Sequence, residues 1–334
     1  ITADSHLDAG TRAELYARTL TNIAADRPDF HVDLGDTFMT EKYESGFKEA
    51  LPQYLAQRYW FGLLRAPLFL ALGNHDGESG IARRPQDAEM SLWSAQMRTA
   101  LFPNPEPGVF FSGNARPLPG VGLLQNYYAF EWGDAQIIVL DPFWAAARAP
   151  GNRQSGWDST LGREQYDWLA QTLAGSSARY RFVFIHHLVG GNGSQHRGGV
   201  EFAGLFEWGG LELDGRPAFA ARRPGWALPI HSLLVKHHVT AVFHGHDHLY
   251  ARQELDGITY QAVPQPSHPE NRGDAMAREY GYVHGDILAS PGHLRVAVAP
   301  NAVTVDYVRA VLDGDRRTAY ANGAVGHSYR LPPP

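Results

Sequence analysis

The chain has no cysteine, which excludes disulfide frameworks and thiolate chemistry and leaves any metal to be held by His, Asp, Glu or Asn. It also lacks any apolar run close to the about 20 residues that a membrane-crossing helix needs, so a membrane span is set aside. Basic residues do not outnumber acidic ones: the formal net charge is -6. That argues against the broad basic surface of a nonspecific nucleic-acid binder, and leaves small anionic substrates and a local basic pocket open. No internal repeat or low-complexity tract is legible. What remains is ordinary globular composition, 44% hydrophobic and 19% charged over 334 residues, a length that one α/β domain with loop insertions can reach. A single domain, 1–334, is the expectation. The numbering opens inside what reads as a strand, Ile1 to Ala3, which leaves room for preceding residues and an export signal. An exported or periplasmic enzyme is the corresponding expectation for compartment.

Five short apolar segments each run into a cluster of polar, metal-competent residues: 1–3 before Asp4, 30–34 before Gly35, 67–72 before Gly73, 181–185 before His186, and 239–243 before His244. Short β-rich runs bounded by glycine read as buried strands. Helical periodicity lies between several of them, at 11–25, about 47–65, 163–173 and 229–237. Strands alternating with helices imply a layered α/β fold whose functional residues gather beyond the carboxyl ends of the strands. Hairpins read at 127–132 with 135–140, turning at Gly133 and Asp134, and near the C-terminus at about 294–308, turning at Pro300 and Asn301. Two segments, about 77–125 and 189–229, are rich in Gly, Pro, Arg and Trp without sustained periodicity, and read as long loop insertions.

Each cluster has a bland reading of its own. Asp4 and His6, two apart on an extended segment, can point at one ion, but such a pair also arises by chance in turns. Gly35-Asp36 is a common strand-ending turn in which glycine permits a sharp bend. Gly73-Asn74-His75-Asp76 could be a capping turn, a reading that gives no reason for the histidine. His186 and His187 end one strand, and His244, His246 and His248 crowd into five residues after another. Crowded imidazoles are costly if protonated, so this cluster points to neutral rings bound to metal.

Taken in order, D-x-H, GD, GNHD, H and GHDH resemble the calcineurin-like metallophosphoesterase superfamily, which also contains the purple acid phosphatases. The resemblance spans Asp4 to His248, roughly three-quarters of the chain. It implies a four-layer α/β/β/α sandwich with two mixed β-sheets and two metals at the strand ends. Asp4, His6 and His248 would then bind one ion, Asn74, His186 and His246 the other, and Asp36 would bridge them. The resemblance leaves His187 as the alternative to His186. It makes His75 the catalytic histidine beside the metals, oriented by a carboxylate for which Asp76 is a candidate. Purple acid phosphatases carry a tyrosine three residues after the bridging aspartate; here that position is Met39. Two divalent ions, manganese, zinc or iron, are therefore expected rather than a tyrosinate-bound ferric ion.

Two ions about 3.5 to 4 Å apart can share and acidify a water. The implied function is hydrolysis of a small phosphoester, monoester or diester, by a metal-bridging hydroxide, with His75 stabilising charge or donating to the leaving oxygen. His196 and Arg197, in the run H-R-G-G, are candidates to contact the phosphate, although a solvated loop charge describes Arg197 as well. Trp208, Trp226 and Tyr250 could wall a leaving group; packing is the commoner fate of such aromatics. The rival functions are sulfate-ester or phosphotriester hydrolysis at the same metals, and a noncatalytic metal-binding scaffold.

Overall fold

The computed structural model describes residues 1–43, 46–80, 85–146, 156–191, 197–269, 273–289, 291–315 and 319–333. Its largest sheet has eight strands, in the order Asp286–Leu288, Tyr250–Leu255, Ile258–Ala262, Ala241–His244, Tyr180–Ile185, Ala135–Val139, Tyr128–Trp132 and Ser112–Gly113. The four central strands, from Ile258–Ala262 to Ala135–Val139, pair in parallel, and antiparallel strands flank them.

A second sheet faces the first. His31–Asp33 pairs in parallel with Leu68–Leu70 on one side and with residues 1–3 on the other, where Thr2 N–H donates to Val32 O and Leu34 N–H to Thr2 O. Ile1 and Leu294 then exchange backbone hydrogen bonds of 2.8 and 3.0 Å. This joins the antiparallel set Gly292–Ala299, Ala302–Arg309 and Val325–Leu331 to the same sheet.

Period-two alternation of side chains assigns the faces. Phe182, Phe184, Ile137, Val139 and Phe243 point inward to a core shared with Ala3, Val32, Leu294 and Val305 of the second sheet. Their neighbours Val183, Ile185, Ile138 and Val242 point outward to the helices Gly162–Gly175 and Ile230–Lys236. On the far side, Ala13–Asp26 and Leu51–Phe61 bury Tyr16, Leu20, Ile23, Tyr54 and Phe61 against Leu70. The result is the α/β/β/α sandwich that the resemblance implied.

The expected helix at about 47–65 resolves into a regular helix, Leu51–Phe61, between two 3-10 turns. The segment 77–125, read as a loop, contains the helix Pro85–Leu101. The segment 189–229 contains two single-turn helices, Phe206–Gly209 and Phe219–Arg222. The C-terminal hairpin gains a third strand, Val325–Leu331.

Candidate metal centre

Five parallel-paired segments, residues 1–3, His31–Asp33, Leu68–Leu70, Tyr180–Ile185 and Ala241–His244, end at the same edge of the sandwich, and each delivers one motif there. Two of the motifs touch through glycines. A Cβ on Gly73 would stand 2.0 Å from Asp36 N, and one on Gly35, at φ +95°, would stand 2.3 Å from Gly73 N. Only glycine at both positions lets the GD and GNHD loops lie this close. Asp76 fastens them, because its carboxylate accepts the N–H groups of Asp36 (3.1 Å), Thr37 (2.8 Å), Phe38 (2.8 Å) and Gly73 (2.7 Å).

The ligand-capable atoms of Asp4, His6 and His248 all lie within 4.8 Å of one another, as do those of Asp36, His186 and His246. Asp36 Oδ2 stands between the groups, 3.6 Å from His6 Nε2 and 3.3 Å from His186 Nε2. Asn74 Oδ1 is 3.0 Å from His186 Nε2. His187 turns away: its Nδ1 bonds Leu188 O and its ring packs edge-on against Phe143. Of the two histidines, His186 is thus the one that faces the site.

Five of these residues adopt left-handed backbone: Asp4 (φ 59°), His6 (56°), Asp36 (55°), His246 (70°) and His248 (56°). Non-glycine residues take this conformation at a cost, and such strain clusters at functional sites.

Electrostatics give the site an appetite for positive charge. Burial works to raise the pKa of Asp4 and Asp36, yet neighbouring histidines, His248 for Asp4 and His186 for Asp36, hold both below the ordinary range. Burial disfavours the charged form of His186, yet Asp36 and Asp4 push it up to about 9. His246 and His248 are lowered, first by burial. Burial and then His186 push His187 down to about 3.

The first group fits a metal ion on a separate observation. Asp4 Oδ1 and His6 Nε2 are buried and find no hydrogen-bond partner among the described residues. Buried polar atoms are ordinarily satisfied, and a cation between them would satisfy both.

His75 stands at the rim, its Nε2 3.9 Å from Asp36 Oδ2. Its Nδ1 pairs with Glu41, not with Asp76, whose oxygens are occupied by the backbone donors above. Glu41 lies on a 3-10 turn, Thr40–Lys42, five residues after Asp36, and nothing in the sequence analysis picked it out. Asp8 was missed as well. Its Oδ2 is 3.2 Å from His6 Nδ1 and its Oδ1 3.1 Å from His268 Nε2. A carboxylate on the outer nitrogen of a ligand histidine fixes the tautomer that leaves the inner nitrogen for metal. The usable signal was its position two residues after His6.

The substrate-binding candidates fare differently. His196 lies outside the described residues. Arg197 commits its guanidinium to the protein, with Nε to Asp247 Oδ1 at 2.9 Å, Nη2 to His246 O at 2.6 Å, and the plane over Tyr280 at 4.1 Å. Trp208 is buried with its N–H on Tyr260, Trp226 stacks on Tyr166, and Tyr250 stacks on Tyr307. All three pack.

A sequence profile of the calcineurin-like phosphoesterases matches residues 1–250. The chain belongs to that family. Comparison with curated protein sequences gives no match. Among solved structures, purple acid phosphatase PPD1 from yellow lupin (Lupinus luteus) seeds is similar at TM-score 0.62 and 14% identity, over 99% of this chain and 52% of that one. This chain therefore spans about half the length of the lupin protein. A dimetal phosphatase from Danio rerio is similar at TM-score 0.54 and 13% identity, over 93% and 95% of the two chains. GAP50, the anchor in the inner membrane complex of Plasmodium, is similar at TM-score 0.56 and 13% identity, over 100% and 87%. At these identities the likeness is one of fold. Among the described residues no helix is long and apolar enough to cross a membrane.

Proposed function

We propose that this chain is a hydrolase of small phosphoesters that works with two divalent metal ions. The observation that carries the reading is the pair of ligand-capable groups, Asp4, His6 and His248 beside Asp36, His186 and His246, with Asp4 Oδ1 and His6 Nε2 of the first group buried without a hydrogen bond among the described residues. Asp4, His6 and His248 would hold one ion, Asn74, His186 and His246 the other, and Asp36 both. Ions held there supply Lewis acidity, which acidifies water and neutralises charge on phosphoryl oxygens. Buried Met39 offers no phenolate where a purple acid phosphatase has its tyrosine, so manganese, zinc or ferrous iron is the fitting metal.

The chain's own residues supply geometry and one proton. Asp36 is fixed in orientation because its Oδ1 accepts the His75 N–H at 2.8 Å, leaving Oδ2 to face both groups. Asp76 holds the two loops in register. Glu41 on Nδ1 keeps the His75 ring turned so that Nε2 faces the centre. That Nε2–H is the donor that meets a phosphoryl or leaving-group oxygen. Asp8 does for His6 what Glu41 does for His75, in the service of binding rather than proton transfer.

The test is to strip the protein of metal, restore manganese, zinc or iron separately, and measure hydrolysis of p-nitrophenyl phosphate and bis-p-nitrophenyl phosphate, with Asp36→Ala and His75→Ala alongside. Metal-restored turnover that collapses in both variants is expected, and the ratio of the two substrates assigns monoester or diester preference. Two ions bound per chain without turnover on either ester would overturn the reading, in favour of a sulfate ester, a phosphotriester or a noncatalytic scaffold.

A further inference from the structure

The H-R-G-G run supplies a feature that the proposed reaction does not use. Arg197 reaches across 49 residues to the carbonyl of His246 and across 50 to the carboxylate of Asp247. Asp247, between the two ligand histidines, is 1% exposed, and its other oxygen accepts the hydroxyl of equally buried Tyr282 at 2.6 Å. Gly198 lies flat on this pair: a Cβ there would stand 2.3 Å from Asp247 Oδ2 and 2.7 Å from Tyr282 Oη. Two residues further on, Val200 N–H donates to Gln253 Oε1 at 3.1 Å, which pins the loop to the large sheet.

The loop that receives these contacts needs them. His246 and His248 both have left-handed backbone, a conformation that is unfavourable for residues with a side chain and kept only where the surroundings impose it. The His246 peptide units are held from both sides, the N–H by Asp4 Oδ2 at 2.8 Å and the C=O by Arg197. Released from Arg197, the loop can relax towards ordinary backbone, which moves both imidazoles off their aim.

Resting on the function proposed above, we infer that Arg197, Gly198 and Tyr282 form a clamp on loop 245–248 that positions His246 and His248 and thereby sets the affinity for the metal pair. Arg197 is then a positioning residue and not a phosphate contact. The two roles predict opposite signatures: a clamp changes metal affinity, whereas a phosphate contact changes KM for the ester at unchanged metal affinity.

The experiment is calorimetric titration of the metal-stripped full chain with Mn²⁺ and with Zn²⁺, for the wild type and for Arg197→Met, Arg197→Lys, Gly198→Ala and Tyr282→Phe. Far-UV circular dichroism checks the fold of each, and KM and kcat for p-nitrophenyl phosphate are measured at saturating metal. Disturbing groups that orient metal ligands typically weakens metal binding about 10–100-fold. That loss is expected in Arg197→Met and in Gly198→Ala, with Arg197→Lys between them and the wild type because one ammonium cannot serve both acceptors. Turnover should largely return at saturating metal. Wild-type affinity for two ions in both Arg197→Met and Gly198→Ala, or a raised KM with unchanged metal affinity, overturns the clamp and leaves the hydrolase standing. A wild type that binds no metal overturns both.

Discussion

Arg98 and Glu78 form an ion pair with almost no access to water, 0% and 3% exposed. The guanidinium meets both carboxylate oxygens, Nε to Oε1 at 2.5 Å and Nη2 to Oε2 at 2.8 Å, and Nη2 also donates to Leu124 O at 2.6 Å. Removing one partner strands a buried charge, which costs about 3–5 kcal/mol. Replacing both by apolar side chains removes the charges together and leaves chiefly the Leu124 carbonyl unpaired, at about 1–3 kcal/mol. Arg98→Met and Glu78→Leu are each expected to lose about 3–5 kcal/mol, and the double variant less than the sum by at least ~2 kcal/mol. Urea denaturation followed by tryptophan fluorescence measures all four corners of the cycle. A double variant that loses the full sum of the singles would refute the reasoning, since it would mean that the pair contributes as two independent contacts.

Asp76→Asn keeps the shape of the brace but turns an acceptor oxygen into a donor that faces two backbone N–H groups; a loss of at least about 2 kcal/mol in chemical denaturation is expected, and wild-type stability would contradict the role given to Asp76. Glu41→Gln is expected to lower kcat by about 10-fold or more without changing the metal content read by elemental analysis, and His75→Ala by about 10²–10⁴-fold; loss of metal in Glu41→Gln would move Glu41 into the binding machinery. Burial pushes the Asp33 carboxyl up from 3.8 to about 6, against the hydrogen bonds from Thr2, Thr37 and Gly35. A carboxyl with a folded-state pKa above its unfolded one binds its proton more tightly in the folded chain. Its protonated form therefore supports the fold, and that support is lost as pH rises from about 4 to about 6. The shift corresponds to about 3 kcal/mol. The stability of metal-free Asp33→Asn relative to wild type should accordingly improve by about that much over this window, and a difference independent of pH would reject the assignment.

The strands that carry the site were legible because each is a short apolar run ended by aspartate, glycine or histidine, and the candidate ligands follow at fixed local spacing. The helix Pro85–Leu101 was not. Its fully buried side chains include Ser91, Ser94, Ala95 and Arg98, small or polar, while the apolar Trp93, Met97 and Leu101 that pack on the core beside them are only half-buried, so the apolar stripe along the helix is weak. The partners of the site residues were hidden for another reason: they are tertiary. Glu41 and Asp8 are unremarkable carboxylates until a 3-10 turn and a left-handed stretch bring them onto the rings of His75 and His6. Asp76, adjacent to His75 in sequence, was the natural candidate to orient it, and the turn geometry gives its oxygens to backbone donors instead. In the sequence Arg197 reads as a candidate phosphate contact or as a solvated loop charge, and only the fold shows its guanidinium committed to Asp247 and His246.

Residues 1–3 have one sheet neighbour close by in sequence and another, Leu294, 293 residues away. Contacts of such separation form slowly, because the chain entropy of closing the intervening loop must be overcome first. At roughly 5–20 residues per second, synthesis of the intervening chain takes on the order of 15–60 s. Throughout that time the strand bearing Asp4 and His6 has an unpaired edge, the kind of surface that invites mispairing. The group Asp4, His6 and His248 is therefore among the last parts of the molecule to be completed. Metal ions bound at that group would enter a nearly finished fold and could not template its early stages, so refolding should proceed at the same rate with and without them until the final step.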